Sequence, residues 1–201
     1  MAKPDIQKER TIVLVKPDGV IRGLVGEVIN RFEKMGLKLL GLKLVWADKS
    51  LASNHYPESR TELMEAIGRK TLETYEKYGR DPKEEFGNID PVEIGKMVNK
   101  WNIEFITSGP VVAILLEGVH AIDNVRMLAG NTLPVFAQPG TIRGDFSIDS
   151  PALANVRGRA VHNIIHASGN VEEATYEEQL WFRKEDIVDN YKRSDEQVMF
   201  G

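Results

Sequence analysis

The sequence has no cysteine, so disulfide bonds, thiolate metal sites and cysteine nucleophiles are all excluded. It also has no long apolar run, because its longest aliphatic stretch, residues 111–116, is far too short to span a bilayer. The first ten residues are charged and contain no apolar core of a signal sequence. We therefore expect no membrane partner, and the cytoplasm is the predicted location.

An excess of one charge sign is also missing. The net charge is -4 over 201 residues, of which 28% are charged and 42% hydrophobic. This composition is typical of an ordinary globular protein with a single core. It gives no reason to expect a nucleic-acid partner, so any phosphate site must be built from local basic residues. The glycine-rich P-loop and dinucleotide-binding motifs do not occur either, which excludes those two modes of nucleotide binding.

What the sequence does contain is a histidine, His166, at the end of a short β-branched run and shortly before a predicted helix. Asn170 is a good N-cap for that helix, and Glu173 has the spacing of a capping-box partner. The free N–H groups and the dipole at a helix N-terminus favour an anion such as phosphate. A nucleophile in this place could carry a phosphoryl group.

Glu177 belongs to the same predicted helix, and helical spacing places it on an otherwise apolar face. A carboxylate there is costly unless it has a polar partner, and His166 is a natural one. We therefore predict that Glu177 holds one ring nitrogen of His166 and leaves the other free to attack. The pattern alone also fits a surface histidine near a helix cap, with Glu177 turned to solvent. The other members of the predicted apolar face are Val171, Ala174 and Trp181.

Lys16 follows residues 11–15, a continuous apolar run that is typical of a strand buried on both faces. Residues 17–19 are turn formers, so Lys16 is predicted to stand at the carboxyl end of an inner strand. This is a frequent place for ligand contacts in sheets. The alternatives are a snorkelling lysine at a strand end and a surface salt bridge.

Residues 57–104 differ from the rest of the chain, because their charge density rises and their apolar residues take helical spacing. This pattern predicts a helical hairpin laid against the main body, and we favour a lid or subunit-contact role for it, without a part in the chemistry. Asp90 is the predicted cap of its second helix. The predicted packing face of its first helix consists of Leu63, Ile67, Thr71, Tyr75 and Tyr78.

The remaining apolar spacing predicts alternating strands and helices, with a second short addition at about residues 149–159. Without the two additions the order is βαββαβ, the ferredoxin-like arrangement of the α+β class, in which helices back an antiparallel sheet. The predicted strands are residues 11–15, 37–46, 111–116 and the run before His166; the predicted helices are 23–35, 50–56, 120–130 and the one after Asn170; residues 131–145 and 147–162 are predicted to be irregular.

Five short motifs follow one another along the chain. They are KPDGV (16–20) with RGLVGE (22–27), HY (55–56), SGPVV (108–112), PGTIRGDF (139–146) and NIIH (163–166). In these residues and in their order the chain closely resembles the nucleoside diphosphate kinases. The resemblance covers about residues 9–188 apart from the two additions, so we expect residues 1–201 to form a single domain of this kind.

The resemblance implies transfer of the γ-phosphate of a nucleoside triphosphate, typically ATP, to a nucleoside diphosphate. The implied mechanism is ping-pong, through a phosphohistidine at His166, with Glu177 and Ser168 holding and assisting that residue. It also implies Mg²⁺ carried mainly by the nucleotide phosphates, without a metal site of the protein's own, and assembly into a homo-oligomer, either a hexamer or a tetramer. The residues that match phosphate- or ribose-binding positions are Lys16, Tyr56, Arg126, Thr132, Arg143 and Asn163.

Two points of the resemblance depart from a simple reading of the residues. Asn163 and His166 would point to opposite faces of a regular strand, so a shared site requires the backbone to bend there. The family places an aromatic ring on the nucleotide base, and here no residue matches that position cleanly; the candidates are Trp101, Phe105 and Phe86.

Two other classes of function remain open at the level of sequence. A phosphohistidine carrier or regulatory protein of the same fold would also be phosphorylated at His166, but would pass the group to a protein. A ferredoxin-like RNA-binding module shares the topology, yet its basic and aromatic sheet motif is missing from this chain.

Overall fold

The computed structural model describes residues 8–87, 89–196 and 198. In this part of the chain, four strands form one antiparallel sheet: β1 (Glu9–Val15), β2 (Lys38–Trp46), β3 (Pro110–Gly118) and β4 (Ile165–Ala167). The order across the sheet is β2-β3-β1-β4, so β1 and β3 are the inner strands. Every pairing is antiparallel. The predicted α+β class and ferredoxin-like arrangement are confirmed.

The helices of the described residues surround this sheet. They are α1 (Pro17–Ile21), α2 (Val25–Lys34), α3 (Lys49–His55), α4 (Thr61–Lys77), α5 (Pro82–Phe86), α6 (Pro91–Thr107), α7 (Ala121–Ala129), α8 (Ile142–Phe146), α9 (Pro151–Val156) and α10 (Val171–Trp181), with 3-10 turns at Pro134–Phe136 and Lys184–Asp186. In the part of the chain described, no helix combines the length and the apolar character needed to cross a membrane.

Strand β1 is buried on both faces, as its continuous apolar run predicts. Val13 and Val15 pack with residues of α2 and α7 on one face of the sheet. Ile12 and Leu14 pack on the other face with residues of α3, α6 and α10. All four side chains are fully buried. The residues that follow β1, Lys16 among them, therefore start from a well-packed strand.

The loops predicted for residues 131–145 and 147–162 contain short helices, which corrects both predictions. Each helix has a start signal in place of a periodic pattern. The hydroxyl of Thr141 accepts a hydrogen bond from the N–H of Gly144 at the start of α8, and that of Ser150 does so from Leu153 at the start of α9. Helices of five and six residues are too short to show hydrophobic periodicity.

Helix α1 corrects the predicted turn after Lys16. Pro17 occupies its first turn, where a missing N–H costs nothing because it would have no helical partner. Lys16 nevertheless stands at the carboxyl end of β1, as predicted.

Helices α4 and α6 form the predicted hairpin, and two glycines set how closely they approach. A side chain at Gly68 would overlap the backbone carbonyl of Pro91, and one at Gly95 would overlap that of Met64. This contact turns Met64 inward and leaves Leu63 on the surface, so the predicted packing face of α4 is wrong at that position. Tyr78, at the other end of that predicted face, is also exposed, whereas the cap of α6 at Asp90 is as predicted.

Candidate active site

His166 and Glu177 meet at the junction of β4 and α10. Nε2 of His166 lies 2.7 Å from Oε1 of Glu177, and the Glu177 side chain is only 2% exposed. Asn170 caps α10 by accepting from the N–H of Glu173 at 2.8 Å. The carboxylate of Glu173 accepts from the N–H of Gly169, one residue before the cap, instead of from Asn170 itself. Val171, predicted on the apolar face, is exposed.

Ser168 fixes the second oxygen of the Glu177 carboxylate. Its hydroxyl donates to Oε2 of Glu177 at 2.6 Å, and its oxygen accepts from the N–H of Ile12 at 3.2 Å. Both Ser168 and Glu177 are buried. The carboxylate is thus tied to β1 on one side and to His166 on the other, which orients the imidazole ring.

Burial controls the protonation of this pair. Burial lowers the pKa of His166 below its ordinary value, and the positive charge of Lys16 lowers it further. Burial also raises the pKa of Glu177, while His55 and the hydroxyl of Ser168 oppose that rise. We conclude that the His166 ring is neutral near pH 7. With Nε2 directed at Glu177, Nδ1 is the nitrogen with a free lone pair.

Two buried cations stand near this histidine without a carboxylate partner among the described residues. The guanidinium of Arg143 donates to three backbone carbonyls, those of Gly130, Asn163 and Ile165. Burial and the neighbouring Arg126 lower the pKa of Arg143 to about 10. Burial and Arg143 lower the pKa of Lys16 to about 8. Buried positive charges of this kind are stabilised when an anion binds between them.

The backbone bends at Ile164, which has a φ of 69°. This left-handed conformation is unusual for a β-branched residue. It is held by hydrogen bonds from the N–H of Ile164 to Asp18 and from the N–H of Lys16 to the carbonyl of Ile164. The bend allows Asn163 and His166 to line the same cavity. The bend that a shared site requires is therefore present, and the two side chains do not point apart as they would on a regular strand.

The side chain of Asn163 links two elements of the site. Its Oδ1 accepts from Nζ of Lys16 at 2.8 Å, and its Nδ2 donates to the carbonyl of Thr132 at 2.8 Å. Because both ends of the amide are used, its orientation is determined by its neighbours.

The site opens into a cavity of about 310 Å³. Ser168 and Glu177 lie behind His166 and do not line it. Among the described residues, no aspartate or glutamate lines it, so it offers cations and neutral groups only. The residues of the predicted site that line the cavity are Lys16, Tyr56, Arg126, Thr132, Arg143, Asn163 and His166.

The far wall of the cavity comes from the hairpin and from α9. Trp101 lines it, whereas Phe86 packs against Trp101 at a ring distance of 6.3 Å and Phe105 stacks on His162 at 4.5 Å. Of the three aromatic candidates, only Trp101 is placed on the wall among the described residues. Arg159 also lines the cavity, with its guanidinium held by Asp149 in two hydrogen bonds.

Reasoning from the sequence did not single out His55 beyond its place in the HY motif. Its side chain is completely buried, and its Nδ1 lies 3.4 Å from Oε1 of Glu177. It ends α3 in sequence and meets the site only through the packing of α3 on α10. No local pattern could have revealed this contact.

The chain matches known proteins over most of its length. The family model described as nucleoside diphosphate kinase matches residues 9–65 and 83–187. A nucleoside diphosphate kinase of Pyrobaculum aerophilum is 46% identical over 181 residues, which is 90% of this chain and 98% of that relative. The crystal structure of an NDP kinase from P. aerophilum superimposes with a TM-score of 0.87 at 44% identity, covering 90% of this chain and 100% of that one.

A second solved structure has ligands. It is described as a transition-state mimic of the nucleoside-diphosphate kinase from Borrelia burgdorferi with bound vanadate and ADP, and it matches with a TM-score of 0.77 at 37% identity. The match covers 96% of this chain and 98% of that one. The present chain therefore belongs to the nucleoside diphosphate kinase family and is a phosphotransferase.

Proposed function

We propose that this protein transfers the γ-phosphate of a nucleoside triphosphate, typically ATP, to a nucleoside diphosphate through a phosphohistidine at His166. The observation that carries the proposal is the 2.7 Å contact between Nε2 of His166 and Glu177, at the edge of a cavity that contains the buried cations Lys16 and Arg143 and to which the described residues supply no carboxylate. Because Nε2 is occupied, Nδ1 is the nucleophile. The B. burgdorferi structure, described as a transition-state mimic with bound vanadate and ADP, supports a phosphoryl-transfer role for the present chain.

In the first half-reaction the lone pair of Nδ1 attacks the γ-phosphorus. The bond from that phosphorus to the bridging oxygen breaks, its electrons leave on the β-phosphate, and the nucleoside diphosphate departs. The second half-reaction is the reverse, with a different diphosphate as acceptor. The proton on Nε2 of His166 stays in place throughout, and Glu177 stabilises the positive charge that the ring gains when Nδ1 is phosphorylated.

The cations provide alignment and charge stabilisation, which is most of what phosphoryl transfer needs. Lys16 and Arg143 are already positioned by Asn163 and by backbone carbonyls, so little reorganisation is required when the nucleotide binds. Arg126, on α7, is an exposed residue that lines the cavity and is the third cation proposed to bind phosphate. In this proposal Tyr56, Thr132 and Asn163 contact the phosphates or the ribose hydroxyls.

Mg²⁺ is proposed to enter with the nucleotide. The lining of the cavity fits this mode, because the described residues supply no carboxylate to it and cationic groups would repel a free divalent ion. When bound, the ion would neutralise phosphate charge. The protein would contribute Lys16, Arg126 and Arg143 as partners for the phosphate oxygens.

The whole chain, residues 1–201, is proposed to be one domain of this family, with additions at about residues 57–104 and 149–159. The family model leaves residues 66–82 unmatched, within the first addition. Trp101 and Arg159 bring both additions to the cavity wall. We place the nucleotide base against this wall, with the ring of Trp101 as its apolar contact.

The protein is further proposed to form a homo-oligomer, a hexamer or a tetramer. Strand β2 is an edge strand of the sheet, and its outward side chains Leu42, Leu44 and Trp46 are exposed, the latter two by 71% and 69%. An exposed apolar edge strand is prone to association. Neither a membrane nor a nucleic acid is proposed as a partner, and a cytoplasmic location stays a prediction.

The test is incubation with γ-labelled ATP and Mg²⁺, followed by a chase with a second nucleoside diphosphate. We expect an acid-labile label on the protein that moves into the new triphosphate, and no label on a His166→Ala variant. A label that no nucleotide removes would select the phosphohistidine carrier. Normal turnover by the His166→Ala variant would refute the proposal.

A further inference from the structure

A second imidazole, that of His55, shares the carboxylate of Glu177 with His166. Its Nδ1 lies 3.4 Å from Oε1 of Glu177, the same oxygen that contacts His166. The two rings are 4.4 Å apart and nearly perpendicular, at 83°. His55 therefore contacts the His166 ring beside Glu177, the carboxylate that orients this ring.

The hydrogen bonds of His55 are incomplete. The indole N–H of Trp181 donates to its Nδ1 at 3.3 Å, and its Nε2 is buried without a partner among the described residues. A neutral imidazole has one N–H and one free lone pair. A proton on Nδ1 can point to Glu177, but the contact from Trp181 is then lost; a proton on Nε2 keeps the Trp181 contact and has no acceptor of its own. A buried polar atom left unpaired is costly, and an apolar ring would fill this space without that cost.

The charge of His55 is as restricted as its geometry. Burial, and then the neighbouring His166, lower the pKa of His55 to about 3, although Glu177 acts in the opposite direction. The ring is thus neutral at cellular pH. A lysine or arginine here would form an ion pair with Glu177 and compete with His166, whereas a neutral N–H can orient the carboxylate and leave its charge available.

We propose that His55 is a positioning residue for phosphoryl transfer, which donates from Nδ1 to Glu177 and fixes the plane of the His166 ring. The proposal rests on the phosphohistidine function of His166 and deepens it. As Nδ1 of His166 takes the phosphoryl group, the ring gains positive charge and needs Glu177 both ionised and correctly oriented. Loss of the His55 donor should raise the pKa of Glu177, because an N–H directed at a carboxylate favours its ionised form.

Other titratable groups face the same pair and are unchanged in the test below. They reach the His166–Glu177 pair from the end of β1, from the segment after α3, and from α7, α8 and α10. These groups are Lys16, Tyr56, Arg60, Arg126, Arg143 and Glu173.

The test compares three variants of the full chain by single-turnover phosphorylation of His166 with γ-labelled ATP and Mg²⁺, measured as a function of pH. His55→Phe keeps an aromatic ring and removes the donor. His55→Asn leaves more empty space, but its amide N–H can take the place of Nδ1–H. Trp181→Phe removes the competing contact to Nδ1 and keeps an aromatic ring in the core. Thermal melting and the label per mole of protein verify that each variant is folded.

We expect His55→Phe to phosphorylate His166 roughly ten- to a hundredfold more slowly, with nearly unchanged nucleotide affinity. The acid limb of its pH profile should move to higher pH. His55→Asn and Trp181→Phe should stay closer to the unsubstituted chain than His55→Phe does. If His55 only fills space, the order reverses, because asparagine leaves the larger cavity.

A His55→Phe protein with the rate and pH profile of the unsubstituted chain would overturn the positioning role and leave the phosphohistidine function intact. An unsubstituted chain that takes up no label at His166 would overturn that function, and the positioning role with it.

Discussion

Nζ of Lys16 donates to Oδ1 of Asn163 at 2.8 Å, and through this bond a buried ammonium is aimed into the cavity that contains His166. The same amide donates to the carbonyl of Thr132, so one asparagine connects β1 to the loop after α7. The position of the cation thus depends on a neutral side chain 147 residues away in the sequence.

Replacing that asparagine should affect both the site and the cation. We expect Asn163→Ala to lower kcat/KM on the order of a hundredfold. The substitution removes both the hydrogen bond that positions Lys16 and the proposed contact of Asn163 with the nucleotide. Steady-state kinetics with ATP and a second nucleoside diphosphate measure the effect. Asn30→Ala, on α2, is the matched control and should leave the kinetics unchanged. Equal kinetics for both variants would contradict the proposed role of Asn163 in positioning Lys16 and binding the nucleotide.

The charge of Glu177 should matter more than its shape. Glu177→Gln keeps the size of the side chain and removes the charge that stabilises the phosphorylated ring of His166. We expect the rate of His166 phosphorylation to fall about a hundredfold. Glu178→Gln is the neighbouring control, since Glu178 forms an ion pair with Arg10 and does not line the cavity. Comparable rates for the two variants would show that the carboxylate has no catalytic part.

The pH dependence of kcat/KM should follow Lys16. Burial lowers its pKa to about 8, so the ammonium is charged below that pH and loses its proton as the pH rises through it. We expect kcat/KM to decline above about pH 8. Because the pKa of His166 is lowered by burial, activity should not drop near the ordinary histidine pKa of about 6.5.

A Lys16→Arg variant provides the control for this profile. Its guanidinium stays protonated, so its rate is lower overall but the alkaline decline should move to higher pH. An unchanged alkaline limb in that variant would assign the decline to another group.

The base side of the cavity can be tested through Trp101. We expect Trp101→Ala to raise the KM for nucleotides about tenfold while kcat changes little, since aromatic stacking on a base contributes roughly 1–3 kcal/mol. Inorganic tripolyphosphate, which has no base, is the control donor. Phosphoryl transfer from tripolyphosphate to the protein should be equally slow in the unsubstituted chain and in Trp101→Ala. An equal KM for ATP would place the base elsewhere.

Alanine substitutions at two helical glycines should have opposite effects on stability, because only Gly68 lies at the contact between α4 and α6. A Cβ at Gly68 would overlap the carbonyl of Pro91, so Gly68→Ala should destabilise the protein by about 1–3 kcal/mol. A Cβ at Gly26, in α2, meets nothing within 4 Å, so Gly26→Ala should stabilise the protein by up to about 1 kcal/mol. Chemical denaturation followed by circular dichroism measures both, and a tolerated Gly68→Ala would show that the hairpin contact is loose.

Sequence periodicity predicted where residues lie within a single helix or strand, but not how separate elements meet. The spacing of Glu177 after His166 and the position of Lys16 at a strand end both follow from periodicity along one helix or strand. Arg143 is different, because its acceptors are carbonyls from two separate segments, and nothing near it in sequence shows that it is buried without a carboxylate. Its role was expected only from resemblance to a family.

The same limit explains the error in the packing face of α4, and why the bend near Asn163 could not be predicted. Which face of α4 packs inward depends on where Gly68 meets Pro91, a contact between two helices. The bend at Ile164 depends on hydrogen bonds to the segment after β1, 146 residues earlier for the contact with Asp18. Propensity favours an extended strand there, and tertiary contacts override it.

The left-handed backbone at Ile164 also has a consequence for how the enzyme meets its substrate. A β-branched residue adopts this conformation at an energetic cost, and here the cost is offset by the protein's own hydrogen bonds between Ile164 and both Asp18 and Lys16. We therefore expect the triphosphate to bind beside a main chain whose conformation is fixed by the protein's own contacts. Its binding energy need not be used to reshape the main chain, and more of it is available to lower the barrier to transfer.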